Sequence, residues 1–149
     1  MANNVTPIFA AAPIVGRANL TATTACATRA PIPTASIASN NLVSLVAASA
    51  TQSQRVDWVN VYAASSSMTS ATTAGLVGLW LWDGTNAYLI QELVISAITP
   101  STTSAGFQLI QYFSSPIMIP ATYVLYCSTS VTTTASTNAL AVQAFGGTY

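Results

Sequence analysis

The sequence contains no histidine and no lysine among its 149 residues. Histidine is the commonest general base near neutral pH, so Ser-His-Asp and Cys-His centres are excluded. The missing lysine also excludes a lysine nucleophile and a phosphate-binding P-loop. Only three carboxylates remain, and two of them, Asp83 and Glu92, have structural positions in a predicted turn and strand, which disfavours a paired glycosidase centre. We therefore expect a non-enzymatic protein with no catalytic residue, no cofactor, no metal site and no small-molecule substrate.

Charge is nearly absent as well. Charged residues make up 4% of the chain and the formal net charge is zero, against about 25% charged residues in an ordinary soluble protein. Neutralising phosphates requires clustered Lys and Arg, so no nucleic-acid partner is expected. A surface of Ser, Thr, Asn, Gln and Ala produces little repulsion between copies, which favours a protein that works in an assembly.

Long apolar runs are missing too. The longest, residues 76–82 and 89–95, fall far short of the roughly 20 residues of a membrane-spanning helix, so no membrane partner is expected. The first residues carry no basic region followed by an apolar stretch, which indicates that the chain is made and kept in a cytoplasm. Two cysteines, Cys26 and Cys127, lie far apart in the sequence. Without export, free apolar thiols are favoured over a disulfide, which stays the alternative.

The clearest structural signal is a β-hairpin around Asp83 and Gly84. Asp-Gly between two apolar and aromatic runs predicts a hairpin, because glycine tolerates the positive φ of a strand-matched turn. The first arm, residues 76–82, is apolar on both faces. Its two faces consist of Leu76, Trp80 and Trp82 on one side and Val77, Leu79 and Leu81 on the other. We expect this strand to be covered twice, by its own core and by another layer or another subunit.

Proline density divides the chain. Residues 1–38 contain four prolines, which disfavour a continuous helix or a central strand. We interpret this part as an extended N-terminal arm, with one short strand at 14–21, that lies over its own or a neighbour's surface; a free terminus is the alternative. Residues 39–149 predict a single domain. Short strands separated by Ser/Thr turns, without a helix, indicate an all-β fold: an antiparallel β-sandwich or jelly roll of about eight strands.

Side-chain alternation assigns faces to the other strands. In residues 55–62 it places Val56, Trp58 and Tyr62 together, opposite Val59 and Val61. Proline restricts any strand between Pro116 and Pro120 to a short edge piece. Most aromatic residues are expected in the core, and six apolar residues in the arm and hairpin are candidate contacts with another subunit or an assembly partner. These candidate interface residues are Ile8, Phe9, Ile14, Val15, Trp80 and Trp82.

Three parts of the sequence resemble small proteins encoded among the virion genes of tailed bacteriophages and prophages. The first is the hairpin, residues 79–86, with its continuation at 89–93 and 99–101. The second is the Pro-Ala-Thr-Tyr-Val-Leu strand entry within residues 119–125, and the third is the diglycine-aromatic ending at 144–149. The resemblance covers roughly residues 5–149. Thr122 stands where the group has glycine, and the group's usual strand charges are missing.

This resemblance implies a virion structural protein with a β-sandwich fold. The implied role is a capsid decoration, or cement, protein: a homo-oligomer, most plainly a trimer, that binds the major capsid protein on the outside of the head. The alternative is a tail-associated adhesin or fibre-tip domain that binds host glycan or protein through loops at residues 65–73 and 130–137.

Overall fold

Two antiparallel sheets pack face to face in the computed structural model, which describes residues 12–21, 23–67, 69–136 and 138–149. The four-stranded sheet, in spatial order, consists of β1 (Ala12–Leu20), β9 (Leu140–Thr148), β4 (Gln54–Ala63) and β7 (Gln108–Ile119). The five-stranded sheet consists of β2 (Ile32–Pro33), β6 (Asn86–Ile95), β5 (Gly75–Trp82), β8 (Val124–Thr129) and β3 (Val43–Val46). A single 3-10 turn occupies Thr34–Ser36, and the described ranges contain no α-helix. The predicted all-β antiparallel sandwich is confirmed; the jelly-roll topology stays a prediction.

The hairpin lies where the sequence predicts it, between β5 and β6. The carboxylate oxygen Oδ1 of Asp83 accepts hydrogen bonds from the backbone N–H groups of Thr85 and Asn86, each at 2.8 Å. Gly84 adopts a φ of 102°, which a side chain would disfavour. The N–H groups of Asn86 and Thr85 stabilise the ionised carboxyl, so they lower the pKa of Asp83 below its ordinary value of 3.8.

The core between the sheets is built mainly from aliphatic side chains of their facing surfaces. Val77 and Leu79 of β5 are fully buried in it, as predicted for that face of the strand. The other large fully buried members are Leu20, Val56, Val59, Val61, Ile95, Ile119, Leu125, Leu140 and Val142. Cys127 also belongs to this core and is a free thiol.

The second cover predicted for β5 is part of the same chain. Residues 23–42, here called the cover segment, lie against the outer face of the five-stranded sheet, which they join as the edge strand β2 at Ile32–Pro33. They contribute Cys26, Ile32 and Leu42 to a second buried cluster with Trp80. Backbone hydrogen bonds fasten the segment to both ends of the sheet, at 2.8 Å from Cys26 N to Thr129 O and at 2.9 Å from Thr34 N to Thr85 O. Cys26 is a free thiol, so the preference for free cysteines is confirmed.

The predicted faces of β4 are wrong beyond Val56, because the strand contains a β-bulge between Val56 and Trp58 against both of its neighbours. A bulge adds one residue and reverses the alternation after it. Val59 and Val61 therefore join Val56 in the core, and Trp58 points outward. Gly146 pairs with β4 here, and a Cβ at that position would collide with the carbonyl oxygen of Arg55.

β7 is an edge strand, as predicted, but it is not short: it continues through Pro116 to Ile119. Its register with β4 shows how. From the pair Val56↔Ile117 to the pair Trp58↔Tyr112, β4 advances two residues and β7 five. Three additional residues of β7 therefore bulge out around Pro116, where the missing N–H removes no ladder hydrogen bond.

The described part of the predicted arm contributes to both sheets. The short strand predicted at 14–21 is β1, which pairs with β9 along its whole length. β2 pairs with β6 beside the hairpin turn. The boundary at residue 38 stays a prediction. At Thr122, where the resembling group has glycine, the backbone φ is 73°, a conformation that is unusual for a β-branched residue.

Candidate interaction surface

The outer face of the four-stranded sheet, here called the open face, carries a row of one valine and three aromatic residues, one from each strand, here called the aromatic row. Val15 of β1 pairs with Phe145 of β9, Phe145 pairs with Trp58 of β4, and Trp58 pairs with Tyr112 of β7. Directly paired residues point to the same side of a sheet. The β-bulge in β4 is what brings Trp58 to this side.

The rings of the aromatic row contact one another. Trp58 and Phe145 are stacked, with ring centroids 3.8 Å apart and an interplanar angle of 11°. Tyr112 lies on the other side of Trp58, with centroids 5.9 Å apart. The two ends of the row face solvent, since Val15 is 65% and Tyr112 68% exposed. Aromatic side chains held in this way offer a large contact area at little further cost in conformational entropy.

The open face extends below the aromatic row, toward the end of the sandwich at which β4 begins. Arg55 pairs there with the exposed Met118. Its guanidinium Nε lies 2.8 Å from Oδ1 of Asp57, and its Cζ lies 5.2 Å from the centroid of the Tyr149 ring. The cation is thus neutralised locally, and this part of the face presents no net charge from that pair.

Above the aromatic row, toward the end at which β4 finishes, the open face becomes polar. Asn60 lies in register between Gln143 and Ile110, and Tyr62 lies between Ala141 and Gln108. The Nε2 of Gln108 donates to Oδ1 of Asn60 at 3.2 Å, and the Nδ2 of Asn60 donates to Oε1 of Gln143 at 3.4 Å. An amide chain therefore crosses three strands next to the aromatic row.

The two loops predicted to bind host glycan or protein lie side by side at this upper end. Backbone N–H of Ser66 donates to the carbonyl of Ala135 at 2.9 Å, and the Ser70 hydroxyl donates to the carbonyl of Ser136 at 2.7 Å. The loop between β6 and β7 adjoins the first of them, because Pro100, Ser101 and Ser104 line a depression together with Ser65 and Ser67.

The six candidate interface residues do not form one surface. Ile8 and Phe9 lie outside the described residues. Val15 is exposed on the open face, whereas Ile14 points inward and packs on the core between the sheets. On the opposite sheet Trp80 is 1% exposed beneath the cover segment, and its Nε1 donates to the Ser128 hydroxyl at 2.8 Å. This burial removes Trp80 from the candidate interface.

Trp82 lies beside the same cluster but at its border. The side chain is half-buried and packs against the cluster around Trp80. Its Nε1 donates to the Thr34 hydroxyl of the cover segment at 2.9 Å. Trp82 therefore holds a layer of its own chain in place, and only its remaining surface is available to a partner.

Sequence reasoning missed the aromatic row. Tyr112 has a signal in the sequence, because alternation in its strand puts Gln108 and Tyr112 on the side opposite Phe107 and Leu109. Trp58 had a signal in the sequence that uniform alternation overlooks: the polar residues of β4 move from the odd positions of Arg55 and Asp57 to the even position of Asn60, a change of phase that indicates a bulge. The position of Phe145 beside Trp58 becomes evident only when the register of β9 against β4 is known.

No group of three or more His, Cys, Asp or Glu side chains lies close enough to hold a metal ion in the ranges that the structure describes. Complete burial raises the pKa of Cys127 to about 12, so its thiol stays protonated and unreactive. Within the same ranges, no helix has the length and apolar character to cross a membrane.

No protein-family model, no curated protein and no solved structure matches the chain.

Proposed function

We propose that the chain is a structural protein of a tailed-phage virion, a capsid decoration protein that binds the major capsid protein as a homo-oligomer, most simply a trimer. The observation that carries the proposal is the aromatic row of the open face, which no described residue covers. The resemblance of the hairpin and the diglycine ending to phage virion proteins supports the location, which is the capsid surface after synthesis in the host cytoplasm. A jelly-roll connectivity is part of the same proposal.

The open face suits a shell that is assembled from many copies. Its exposed apolar side chains, Val15, Ile110, Tyr112 and Met118, lie on one side of one sheet. Fully burying one large apolar side chain contributes about 1.5–3 kcal/mol, and a stable interface buries about 1,600 Å² in total. A modest contact of this kind, repeated over a capsid, adds up to a substantial resistance to internal pressure.

The arm supplies the second element of the proposal. β1 begins at Ala12, at the lower end of the open face and next to Thr148. Residues 1–11 precede it, and they include the candidates Ile8 and Phe9. We propose that this segment grips a neighbouring subunit beside the open face. Deleting residues 1–11 should abolish capsid binding and leave the circular dichroism spectrum unchanged; a variant that still binds capsids would disprove the role of the arm.

Copy number tests the proposal as a whole. The protein is quantified by mass spectrometry against the major capsid protein in purified particles of the phage that encodes it. A count comparable with the capsid subunit is expected for a decoration protein. A few copies per particle would instead assign it to the tail or a vertex, and absence from the particle would overturn a virion role.

A second candidate function is a tail-associated adhesin. The specific observation in its favour is the meeting of the two Ser/Thr-rich loops at the upper end, through Ser66–Ala135 and Ser70–Ser136 hydrogen bonds. A low copy number together with binding to host cells would support this function over decoration.

A further inference from the structure

A shallow depression of about 360 Å³ lies on the upper part of the open face. The side chains of three amides and one ring line it, with the backbone around residue 106 as its wall. These polar and aromatic lining residues are Asn60, Tyr62, Gln108 and Gln143. Ala63, Ala105, Gly106 and Phe107 complete it, and no charged residue is among the described residues that line it.

The three amides are held in place before any ligand arrives. Asn60 is the central member, since it accepts from Gln108 and donates to Gln143. Its two partners keep their outer groups available: the Nε2 of Gln143 and the Oε1 of Gln108 make no side-chain hydrogen bond to the described residues. A carboxamide both donates and accepts. The chain therefore presents a donor and an acceptor of fixed position to a ligand with several hydroxyl groups.

Aromatic rings flank the amides on both sides along β4. Trp58 and Tyr62 point to the same face as Asn60, two residues before and two residues after it. At about 3.3 Å per residue, the two rings stand roughly 13 Å apart. Tyr62 is half-buried and lines the depression. An aromatic ring with an apolar face beside polar amides is chemically complementary to a molecule that has apolar C–H faces and polar edges.

A second depression continues the first around the upper end. It has a volume of about 250 Å³ and shares Ala63, Ala105 and Gly106 with the first. Five serines line it, at Ser65, Ser67, Ser70, Ser101 and Ser104. The Ser65 hydroxyl is buried and has no hydrogen-bond partner among the described residues. A buried hydroxyl without a partner is unfavourable until something, a water molecule or a ligand, supplies one.

From these observations we propose that the two depressions form one binding groove for a neutral oligosaccharide. Its amides and serine hydroxyls would exchange hydrogen bonds with sugar hydroxyls, and the Tyr62 ring would pack on a sugar C–H face. The lack of charged lining residues selects against phosphorylated or strongly acidic ligands, whose charge would lose hydration without a paired cation. Arg17 of β1 pairs with Gln143 on the same face but is not among the residues that line the depression, and its Nε donates to Oδ1 of Asn19 at 3.3 Å.

The groove borders the proposed capsid contact, because Asn60 pairs with Ile110 and Trp58 stands two residues before Asn60 on the same face, but the two proposals are tested by separate measurements. The aromatic row and the attachment of the arm lie toward the lower part of the open face, whereas the groove opens at the upper part. The serine-lined end of the groove points away from the attachment of the arm, so a decoration protein would present that end outward, and an adhesin would carry the groove as its main site. The copy number in particles therefore tests the decoration role, and sugar binding by the purified protein tests the groove; either proposal can be refuted without the other.

The first test uses the full-length protein on an array of neutral, sialylated and uronic-acid glycans that includes bacterial surface polysaccharides. The best-bound neutral oligosaccharide is then titrated while tryptophan fluorescence is recorded, up to about 10 mM, where weak lectin-like binding is still visible. Binding confined to neutral glycans is the expected result. Failure of every neutral glycan, or a preference for acidic ones, overturns the proposal.

The second test locates the binding. Asn60→Ala and Gln143→Ala should each weaken the titrated oligosaccharide about fivefold, since each removes about one net hydrogen bond. Tyr62→Phe keeps the ring and should bind within about twofold of the unmodified protein. Gln91→Ala is the matched control, because Gln91 is an exposed glutamine on the five-stranded sheet and should bind normally. If all four variants bind alike, the sugar lies elsewhere and the groove assignment is refuted.

Discussion

The outer faces of the two sheets differ in how they are covered. On the five-stranded sheet the chain covers its own tryptophan: residues 23–42 leave Trp80 1% exposed. On the four-stranded sheet nothing in the described residues covers Trp58, and its neighbour Tyr112 is 68% exposed. Both faces carry aromatic side chains, yet among the described residues only the face of the five-stranded sheet is covered.

The apolar surface around Trp80 on the five-stranded sheet is buried within the fold, whereas the apolar surface of the open face is accessible to a partner. A strand with two apolar faces needs two covers, and for β5 the core supplies one and the cover segment the other. Large exposed apolar patches on soluble proteins commonly mark interaction sites. The open face is thus the surface on which a partner would replace water, and the covered face contributes mainly to folding stability.

The largest expected effect separates the two tryptophans. Trp80→Ala should lower the free energy of unfolding by about 3–5 kcal/mol, because it empties a fully buried site and leaves the Ser128 hydroxyl without its donor. Trp58→Ala should cost only about 1–2 kcal/mol, since its ring is already partly in water. Urea unfolding followed by circular dichroism measures both. Equal losses would contradict the distinction between the faces.

A second substitution tests the cover segment itself. Leu42→Ala should cost about 2–3 kcal/mol, because Leu42 is buried against the Trp80 cluster. Ile110→Ala, on the open face, should change the same quantity by about 0.5 kcal/mol or less, as is usual for surface positions. A loss at Leu42 as small as the loss at Ile110 would mean that the cover segment contributes little to stability.

Thiol labelling sharpens the comparison further. Cys26 belongs to the cover segment and Cys127 to the core between the sheets. Local opening of the cover exposes Cys26 without unfolding the sandwich, whereas the Cys127 thiol is fully buried and its pKa is raised to about 12. A thiol reagent under native conditions should therefore modify Cys26 first, as read by peptide mass spectrometry. Modification of both cysteines at one rate would show that the cover and the core open together.

The smallest expected effect concerns the turn that anchors the cover segment. The lowered pKa of Asp83 means that its ionised form stabilises the fold above its ordinary pKa of 3.8, and that this contribution is lost as the pH falls through the still lower pKa of the folded state. Unfolding free energies from about pH 6 to about pH 2 should fall more steeply for the unmodified protein than for Asp83→Asn. Parallel curves for the two proteins would refute a role for this carboxylate.

Much of the fold follows from local chemistry. The Asp83-Gly84 turn determines its hairpin through side-chain and backbone preferences within four residues, and the doubly apolar β5 required two covers from its side-chain pattern alone. The cover itself was not predictable in detail, because residues 23–42 have no strand or helix periodicity and are held by contacts such as Cys26 with Thr129, distant in sequence.

The candidate surface was harder to predict than the fold, and the reason is a single residue. Alternation in β4 changes phase between Asp57 and Asn60, but the adjacent apolar residues Trp58 and Val59 leave the point of change open, and the register against β7 and β9 locates the bulge that turns Trp58 outward. Conversely, Trp80 has the sequence appearance of an interface residue, and only the tertiary position of the cover segment buries it. A bulge and a covering segment both depend on contacts between distant parts of the chain.

The most direct test of the open face compares two valines of nearly equal exposure on opposite sheets. Val15, at the end of the aromatic row, is 65% exposed, and Val94, on β6 of the other sheet, is 67% exposed. Val15→Arg and Val94→Arg are each mixed with purified capsids that lack the protein, and the fraction that co-sediments is measured. We predict that Val15→Arg loses at least about tenfold in affinity, because a buried unpaired charge is costly, while Val94→Arg binds like the unmodified protein. Normal binding by Val15→Arg, or an equal loss by both variants, would contradict the assignment of the open face as the capsid contact.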